Sequence, residues 1–272
     1  MARLVVFLSD FGLDDGFAGV CHGVIARRSP ESRVIDLTHS VPPRDVLHGA
    51  LVLAAAAPYM PEDAVFLAVV DPGVGTERIP VAVETPSGAA LVGPDNGVLC
   101  PAWSSLGGAS AAVRIESPDV LLSPVSATFH GRDVFAPAAA HLAAGRAVQD
   151  LGPAIDPAAL TVLDLPRPEV RPGSVACRVV WVDRFGNVAL GAGPADLSTA
   201  GLGDVTELRV ELHERTESVP RVTAFGQVEP GGPALLVDSA GRLALIENGG
   251  DAARRLGLSR GDLVVLRHAG PG

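Results

Sequence analysis

The chain has 272 residues and a net charge of −10, and no stretch of it is dense in basic residues, which argues against a nucleic acid as the main partner. Although 47% of the residues are hydrophobic, no run approaches the ~18 apolar positions of a membrane span. All 21 basic residues are arginine, which excludes a Schiff-base lysine and the lysine of a phosphate-binding P-loop.

The first part of the chain alternates strand-like and helix-like segments, a pattern typical of the α/β class. In chain order it predicts strands at 4–8, 34–37, 65–70 and 81–84, and helices at 16–28, 45–57 and 134–144. We therefore expect an N-terminal α/β domain, residues 1–166, with a largely parallel central sheet.

The segment DLPRPEVRPG, residues 164–173, interrupts this pattern with three prolines and a glycine, which indicates a domain boundary. Short alternating runs separated by Gly and Pro turns follow at 175–182, 207–212, 234–237, 242–246 and 263–267. They predict a smaller C-terminal antiparallel β-barrel-like domain, residues 172–272.

Cysteine usage and the N-terminal residues bear on the compartment. Cys21, Cys100 and Cys177 are widely separated and each lies in an apolar stretch, which predicts buried free thiols. The first residues lack the apolar region and cleavage site of a secretory signal. We expect a cytoplasmic protein.

Polar residues that directly follow apolar strands are the first candidates for a site, because ligands of open α/β sheets bind outside the carboxyl ends of the strands. Asp10 follows the first strand, where a carboxylate can accept hydrogen bonds from a vicinal diol such as a ribose. Asp15 precedes the first helix, so helix capping is its alternative role. Asp45 is likewise well placed as a helix cap.

The stretch VVDPGVGTER, residues 69–78, can be a phosphate-binding loop, an ordinary turn or a catalytic pair. Phosphate binding needs a helix directly after the glycines, but TERIPVAVE reads as a strand. The proline after Asp71 holds the backbone extended at the strand end, and Arg78 follows seven positions later. A structural ion pair and a catalytic pair both stay open.

Histidines offer two further candidates. His130 stands in SATFHGRD at the entry to a helix, where Asp133 is expected to cap, and His39 lies in the loop after the second strand. Neither has the HxxxH or HExxH spacing of a metal site, so no metal is expected.

Seven stretches, in the same order and over almost the whole chain, resemble the S-adenosylmethionine (SAM) hydrolases, also called SAM hydroxide adenosyltransferases, and the related SAM-dependent fluorinase and chlorinase. They are LSDFGLDDGF, THSVPPRDV, VVDPGVGTER, LVGPDNGVL, TFHGRDVFAPAAAHLAAG, VDRFGNV and DSAGRLALIENGG. The resemblance implies a homotrimer whose active sites lie between the N-terminal domain of one subunit and the C-terminal domain of the next. It implies no cofactor besides the substrate.

The resemblance also implies roles for individual residues. Asp10 matches the position that holds the ribose diol, Asp15 and Asp183 match those that contact the methionine amino group, and Ser239 matches one near its carboxylate. Asn187 matches an adenine-contacting amide, the Asn248 and Gly249 backbone lines the same base, and Phe225 falls in an aromatic position near the purine. On spacing alone Phe225 is more typical of a core residue.

The family's reaction is decided by the groups around C5′ of the ribose. The halogenases carry a tyrosine at the position of Asp71, whereas the hydrolases carry Asp, Arg and His at the positions of Asp71, Arg78 and His130, as this chain does. Water has a pKa of about 15.7 and needs activation, while a halide arrives as an anion. The resemblance therefore implies hydrolysis of SAM to adenosine and L-methionine by in-line attack on C5′.

Two other functions stay open: a SAM-dependent halogenase-type substitution, and a non-catalytic nucleoside- or SAM-binding protein in which Asp71 and Arg78 form a structural pair. Either Asp71 or His130 can be the proton acceptor. The chain departs from its relatives at His22, where lysine is frequent, and at Ala240 and Glu247, where the halogenases carry arginine.

Overall fold

The computed structural model describes residues 2–213 and 215–269. The chain divides into two compact units, Met1–Leu163 and Asp164–Gly272. The division falls at the first residue of the proline-rich segment that begins with Asp164.

The sheet of the first unit is parallel in one half and antiparallel in the other. Its strands are β1 Val5–Ser9, β2 Val34–Thr38, β3 Val65–Val69, β4 Pro80–Glu84, β5 Ala90–Pro94, β6 Ala111–Arg114 and β7 Ala154–Ile155. The strand order is β2-β1-β3-β5-β4-β6-β7, with parallel pairing from β2 to β5 and antiparallel pairing beyond it. The α/β class is confirmed, and the sheet is mixed because the β4-β6-β7 edge runs antiparallel.

Helices cover both faces of this sheet, as the burial of alternate β1 residues in two different cores shows. Val5 and Phe7 belong to a core with helices α1 and α4, while Val6 and Leu8 belong to a core with α2 and α3. The helices are α1 Phe17–Arg28, α2 Val46–Ala56, α3 Cys100–Ser105 and α4 Ala136–Ala143, with a π-helical turn Gly131–Phe135 and 3₁₀ turns Ala57–Tyr59, Val148–Leu151 and Pro157–Ala159. Every residue of β1 and β3 is buried, as strands covered on both faces require.

The second unit is built on an antiparallel sheet. Its strands are β8 Glu169–Arg171, β9 Ser174–Val182, β10 Val188–Leu190, β11 Glu207–Glu211, β12 Thr216–Pro220, β13 Pro233–Val237, β14 Leu243–Glu247 and β15 Leu263–His268. The order is β12-β11-β15-β9-β10-β14-β13, and β8 pairs with β9. A bridge between Arg221 and Leu235 joins the two ends of this order, so the sheet is nearly closed. Two α-helices, α5 Pro194–Thr199 and α6 Ala252–Leu256, and a 3₁₀ turn Phe225–Gln227 accompany it.

Two expectations from composition can be compared with the structure. Cys21, Cys100 and Cys177 are buried free thiols, as predicted, and burial raises the pKa of Cys21 and of Cys177 to about 12. Over the described residues, no helix combines the length and the apolar character needed to cross a bilayer.

Candidate active site

Asp10 and Asp71 leave the sheet at the same edge. They follow β1 and β3, which are neighbouring parallel strands with Ser9 in register with Val69. Oδ2 of Asp10 accepts a hydrogen bond of 2.8 Å from the backbone N–H of Arg44, which has a left-handed φ of 67°. This unusual backbone conformation aims a main-chain donor at Asp10 and so fixes its carboxylate.

The loop after β3 folds back so that Arg78 meets Asp71. Its turn is held by the Thr76 hydroxyl, which donates to the Gly73 carbonyl at 2.7 Å, and by Gly75, which has a φ of 76°. A Cβ at Gly75 would lie 2.4 Å from the carbonyl oxygen of Ala127, so this position admits only glycine. The loop thereby lies directly against the segment that leads to His130.

Arg78 is the centre of a triad with Asp71 and His130, whose ring is partly exposed. Its Nε donates to Oδ1 of Asp71 at 3.1 Å, and its Nη2 contacts Oδ2 of the same carboxylate. Nη2 also lies 3.0 Å from Nδ1 of His130. The side chains of Arg78 and Asp71 are only 7% and 6% exposed. The fold thus brings together all three predicted catalytic residues.

The remaining nitrogen of Arg78, Nη1, is buried and has no hydrogen-bond partner among the described residues. A buried donor without a partner is costly, by roughly 1–3 kcal/mol, more for a charged group. The guanidinium carbon lies 5.2 Å from the centre of the buried Phe135 ring. Nη1 is therefore a preformed donor for a small polar or anionic ligand.

The protonation of His130 follows from its contact with Arg78. Arginine has only donors, so Nδ1 of His130 must carry a lone pair, and the proton of the neutral ring is on Nε2. Burial lowers the pKa of His130, and the charge of Arg78 lowers it further, against the opposing effect of Asp71 and Asp133. His130 is therefore held as neutral imidazole near neutral pH.

Asp133 does not cap the helix, contrary to the sequence expectation. His130 is the N-cap of the π-helical turn, and no side chain caps it. The buried carboxylate of Asp133 instead accepts from the backbone N–H of Ser126 at 2.8 Å and from Nε of Arg132 at 2.6 Å. Because a carboxylate with such donors is stabilised as the anion, the pKa of Asp133 is lowered despite its burial. Asp133 fixes the segment that carries His130.

Of the two aspartates expected as possible caps of α1 and α2, one caps its helix and the other does not. Asp45 caps α2, with Oδ1 accepting from the backbone N–H of His48 at 2.9 Å, as predicted. The N-cap of α1 is Gly16, and no side chain caps this helix, so the capping role of Asp15 is wrong. Asp15 is exposed on the same loop as Asp10.

Asp183 and Asn187 close the turn between β9 and β10. The Asp183 carboxylate accepts from the backbone N–H groups of Phe185 and Asn187 at 2.8 and 2.9 Å and from the Asn187 amide at 2.7 Å. Gly186 has a φ of 82°, and its carbonyl accepts from the backbone N–H of Ala253. The turn therefore orients the Asn187 amide and packs against the segment after β14.

Phe225, Asn248 and Gly249 lie at that same end of the sheet. The Asn248 amide donates to the carbonyl of Val228 at 2.7 Å, three residues after Phe225, and its backbone pairs with the segment before β13. Phe225 is 46% exposed, so the core alternative for it is wrong. Gly249 is exposed, with a φ of 72°.

Ser239 lies at the other end of the same hairpin. It is exposed in the turn between β13 and β14, whereas Asn248 follows the last residue of β14. The five residues of β14 span about 17 Å at the usual strand rise. Within this unit, Ser239 and the turn that carries Asp183 therefore lie at opposite ends of β14.

The structure adds two contacts that sequence reasoning missed. Phe135 packs against the Arg78 guanidinium, and Arg44 supplies a main-chain donor to Asp10. Phe135 lies in the motif HGRDVF, five residues after His130, but nothing in the motif indicates that it contacts Arg78. The Arg44 contact depends on backbone conformation and leaves no signal in residue type.

Comparison with known proteins agrees with this arrangement. Residues 5–152 match the SAM hydroxide adenosyltransferase N-terminal domain, and residues 177–265 match the SAM hydroxide adenosyltransferase C-terminal domain. The chain belongs to the SAM hydroxide adenosyltransferase family. The N-terminal match includes the triad and Asp10, and the C-terminal match includes both ends of the β13–β14 hairpin.

Individual members and relatives of the SAM hydroxide adenosyltransferase family differ in their names. The chain is 50% identical to an "(R)-S-adenosyl-L-methionine hydrolase" from Salinispora tropica, over 95% of each chain. It is 29% identical to a "Fluorinase" from an Actinoplanes species, over 98% of each. The solved structure of an uncharacterized conserved protein from Thermotoga maritima superposes with a TM-score of 0.91 at 35% identity, covering 97% of this chain and 100% of that one.

Proposed function

We propose that this protein hydrolyses SAM, with the (R) configuration at sulfur, to adenosine and L-methionine. The observation that carries the proposal is the contact of Asp71, Arg78 and His130 in a chain 50% identical to a relative named (R)-SAM hydrolase. The oxygen of water bonds to C5′ of the ribose while the C5′–sulfur bond breaks. The bonding pair moves to sulfur, which leaves as the neutral thioether of methionine, and one proton is released.

Arg78 binds the nucleophile in this mechanism. Its Nη1–H is the buried donor without a partner, and a donor aimed at developing negative charge typically contributes 10²- to 10³-fold in kcat. Asp71 holds the guanidinium through Nε and Nη2, which fixes the direction of Nη1. The pair thus positions and stabilises hydroxide as it forms.

His130 contacts Arg78 and is neutral before the reaction. Its lone pair on Nδ1 faces Nη2 of Arg78, so it can accept a proton only when that contact opens. The Asp71 carboxylate also has its closest contacts with Arg78. We infer that Arg78 binds the nucleophile as water and stabilises the hydroxide that forms from it, with His130 as the acceptor of the released proton when Nη2 turns away.

The proposed substrate contacts come from polar groups in the loop after β1 and in the turns of the second unit. Asp10, with one oxygen held by Arg44, offers the other to the ribose diol. Asn187 and the exposed Gly249 backbone suit the adenine edge, with Phe225 against the ring and the Asn248 backbone as a support. Asp15, Asp183 and Ser239 are the proposed partners of the methionine ammonium and carboxylate.

The test is incubation of the purified protein with each sulfonium epimer of SAM in halide-free buffer, with adenosine and methionine measured by chromatography. We expect adenosine from the (R) form, and its loss in Asp71→Asn but not in Asp156→Asn, a matched carboxylate that caps a 3₁₀ turn. Tight adenosine binding without turnover would instead support a binding protein. A halogenated nucleoside formed only with added chloride would support a halogenase.

We also propose a homotrimer in which each site combines the N-terminal unit of one subunit with the C-terminal unit of its neighbour. The support is that candidate residues are divided between the two units, with Asp71 in one and Asn187 in the other. Co-expression of Asp71→Asn with Asn187→Ala subunits should restore about a quarter of the wild-type sites in mixed trimers, since neighbours then pair two intact units. A mixture as inactive as either variant would contradict a shared site.

A cytoplasmic setting belongs to the same proposal. Its support is that Cys21, Cys100 and Cys177 are buried thiols, which suit a reducing compartment. Fractionation of the cells that make the protein, with immunodetection in each fraction, tests the location. Recovery outside the cytoplasmic fraction would overturn it.

A further inference from the structure

Three potential metal ligands, none of them a member of the triad, meet at the edge strand of the first sheet. His22 belongs to α1, Asp36 to the edge strand β2, and His39 directly follows that strand. Oδ1 of Asp36 lies 2.8 Å from Nε2 of His22 and 3.0 Å from Nε2 of His39. One ligand atom from each residue lies within 4.8 Å of the other two.

An irregularity in β2 explains how Asp36 and His39 reach the same place. Residues three apart on a regular strand face opposite sides of a sheet. Here Phe7 pairs with Asp36 but Leu8 pairs with Thr38, so β2 contains one extra residue, as in a β-bulge. The extra residue reverses which face of the sheet the following side chains lie on. The His39 ring consequently packs edge-on against Phe7, with centroids 4.6 Å apart, on the α1 face of the sheet.

His39 is prepared as a ligand. Its side chain is 2% exposed, and Nδ1 lies 2.7 Å from the hydroxyl of Ser9. If Nδ1–H donates to Ser9, the lone pair is on Nε2 and points at the cluster, which is the tautomer that metal-bound histidines adopt. Nε2 has no hydrogen-bond partner among the described residues, since its approach to Asp36 lacks hydrogen-bond geometry.

We propose that His22, Asp36 and His39 bind Zn²⁺ or a similar divalent transition-metal ion. Two imidazoles and one carboxylate are ligands that zinc prefers, and tetrahedral geometry at metal–ligand distances of 2.0–2.2 Å separates ligand atoms by about 3.3 Å. The two histidine nitrogens lie 2.8 and 3.0 Å from Oδ1 of Asp36 and within 4.8 Å of each other, so side-chain shifts of about 1–2 Å bring all three separations to this value. Asp36 is 44% exposed, so a water molecule can take the fourth position.

The site braces the loop that carries Asp10 and Asp15. The carbonyl of His39 accepts from the backbone N–H of Gly12 at 2.8 Å, and the hydroxyl of Ser9 accepts from that of Phe11 at 3.3 Å. A metal ion that fixes His39 therefore also fixes this loop. Its role is structural, because it binds no group of the triad.

The test uses untagged protein titrated with Co²⁺, whose visible absorption reports four-coordinate binding by nitrogen and oxygen ligands. We expect one Co²⁺ per chain, displaced by Zn²⁺, and an affinity at least about tenfold lower in His22→Gln and in Asp36→Asn. His268→Gln, which removes an exposed histidine of the other unit, is the matched control and should bind as the wild type does.

A second measurement separates loss of the site from loss of folding. Both cluster variants replace partly exposed side chains, and circular dichroism should match that of the wild type. Zn²⁺ should raise the Tm of the wild type and of His268→Gln but not of the cluster variants. Absence of stoichiometric Co²⁺ binding, or equal affinity in His22→Gln, would overturn the proposal whether or not the protein hydrolyses SAM.

Discussion

Replacement of Arg78 by lysine separates the charge of this residue from its geometry. Lysine keeps the positive charge but has a single nitrogen in place of Nε, Nη1 and Nη2. In the wild type these three atoms contact the Asp71 carboxylate, contact Nδ1 of His130, and leave Nη1 as a buried donor. One ammonium cannot hold both partners and also face the nucleophile.

The size of the effect follows from the lost donor. Removal of one donor to a developing oxyanion typically lowers kcat 10²- to 10³-fold, or about 2.7–4 kcal/mol. The substrate contacts of Asp10 are unaffected by the change, so we expect KM to move much less than kcat. The free energy of unfolding should fall less than in Arg78→Met, in which the 6%-exposed Asp71 carboxylate loses its partner at a cost of about 3–5 kcal/mol.

The assay is steady-state adenosine formation, with unfolding by denaturant measured in parallel. Arg132→Lys is the matched control, because Arg132 also pairs through Nε and Nη2 with a buried carboxylate, that of Asp133, on the same segment as His130. If Arg78→Lys keeps more than about a tenth of the wild-type kcat, then charge alone suffices and the geometric reasoning is wrong.

Three further predictions concern the same site. Gly75→Ala should lower stability by at least ~1–2 kcal/mol and lower activity, since the left-handed φ and the carbonyl of Ala127 exclude a Cβ; unchanged denaturation curves would contradict this. As pH falls, kcat/KM should decline with a midpoint below 6.5, because burial and Arg78 lower the pKa of His130, and His130→Ala should lose this limb. As pH falls, His130 is protonated at a higher pH in the unfolded chain than in the folded protein, so the free energy of unfolding should also fall. Denaturation at several pH values can check this. In Asp71→Asn the charge of Arg78 lacks its counterion, so chloride at constant ionic strength should inhibit residual adenosine formation more strongly than in the wild type; equal inhibition would mean that the Asp71 charge does not reach the nucleophile.

Long apolar and periodic segments were predictable, and short ones were not. The buried strand expected at 65–70 is β3 Val65–Val69, and the helix expected at 16–28 is α1 Phe17–Arg28. The missed elements include α3, with six residues, and β12 Thr216–Pro220, which carries polar residues without an apolar alternation. Such segments have no period of their own and are stabilised by pairing and packing with distant parts of the chain.

Some contacts of the candidate site could be predicted from the sequence, and others could not. The meeting of Asp71 and Arg78 follows from local turn chemistry, since proline and glycines fold seven residues back on themselves. His130 lies 52 positions from Arg78, and only a resemblance could join the two. The cluster of His22 and its partners has no sequence motif, because a bulge in β2 creates it.

Charge and burial together explain why these three groups suit attack on a sulfonium. Asp71 and Arg78 cancel each other's charge and His130 is neutral, so the site itself is close to neutral, and the side chains of its charged pair are almost wholly removed from water. Hydroxide and sulfonium approach as opposite charges and become a neutral alcohol and a neutral thioether, so the transition state is less charged than the reactants. Poorly solvating surroundings favour such a step, because the reactants lose more solvation than the transition state does. An unpaired arginine would bind hydroxide more tightly before the reaction and so raise this barrier, whereas the Asp71 carboxylate moderates that binding without removing the Nη1 donor that directs the attack.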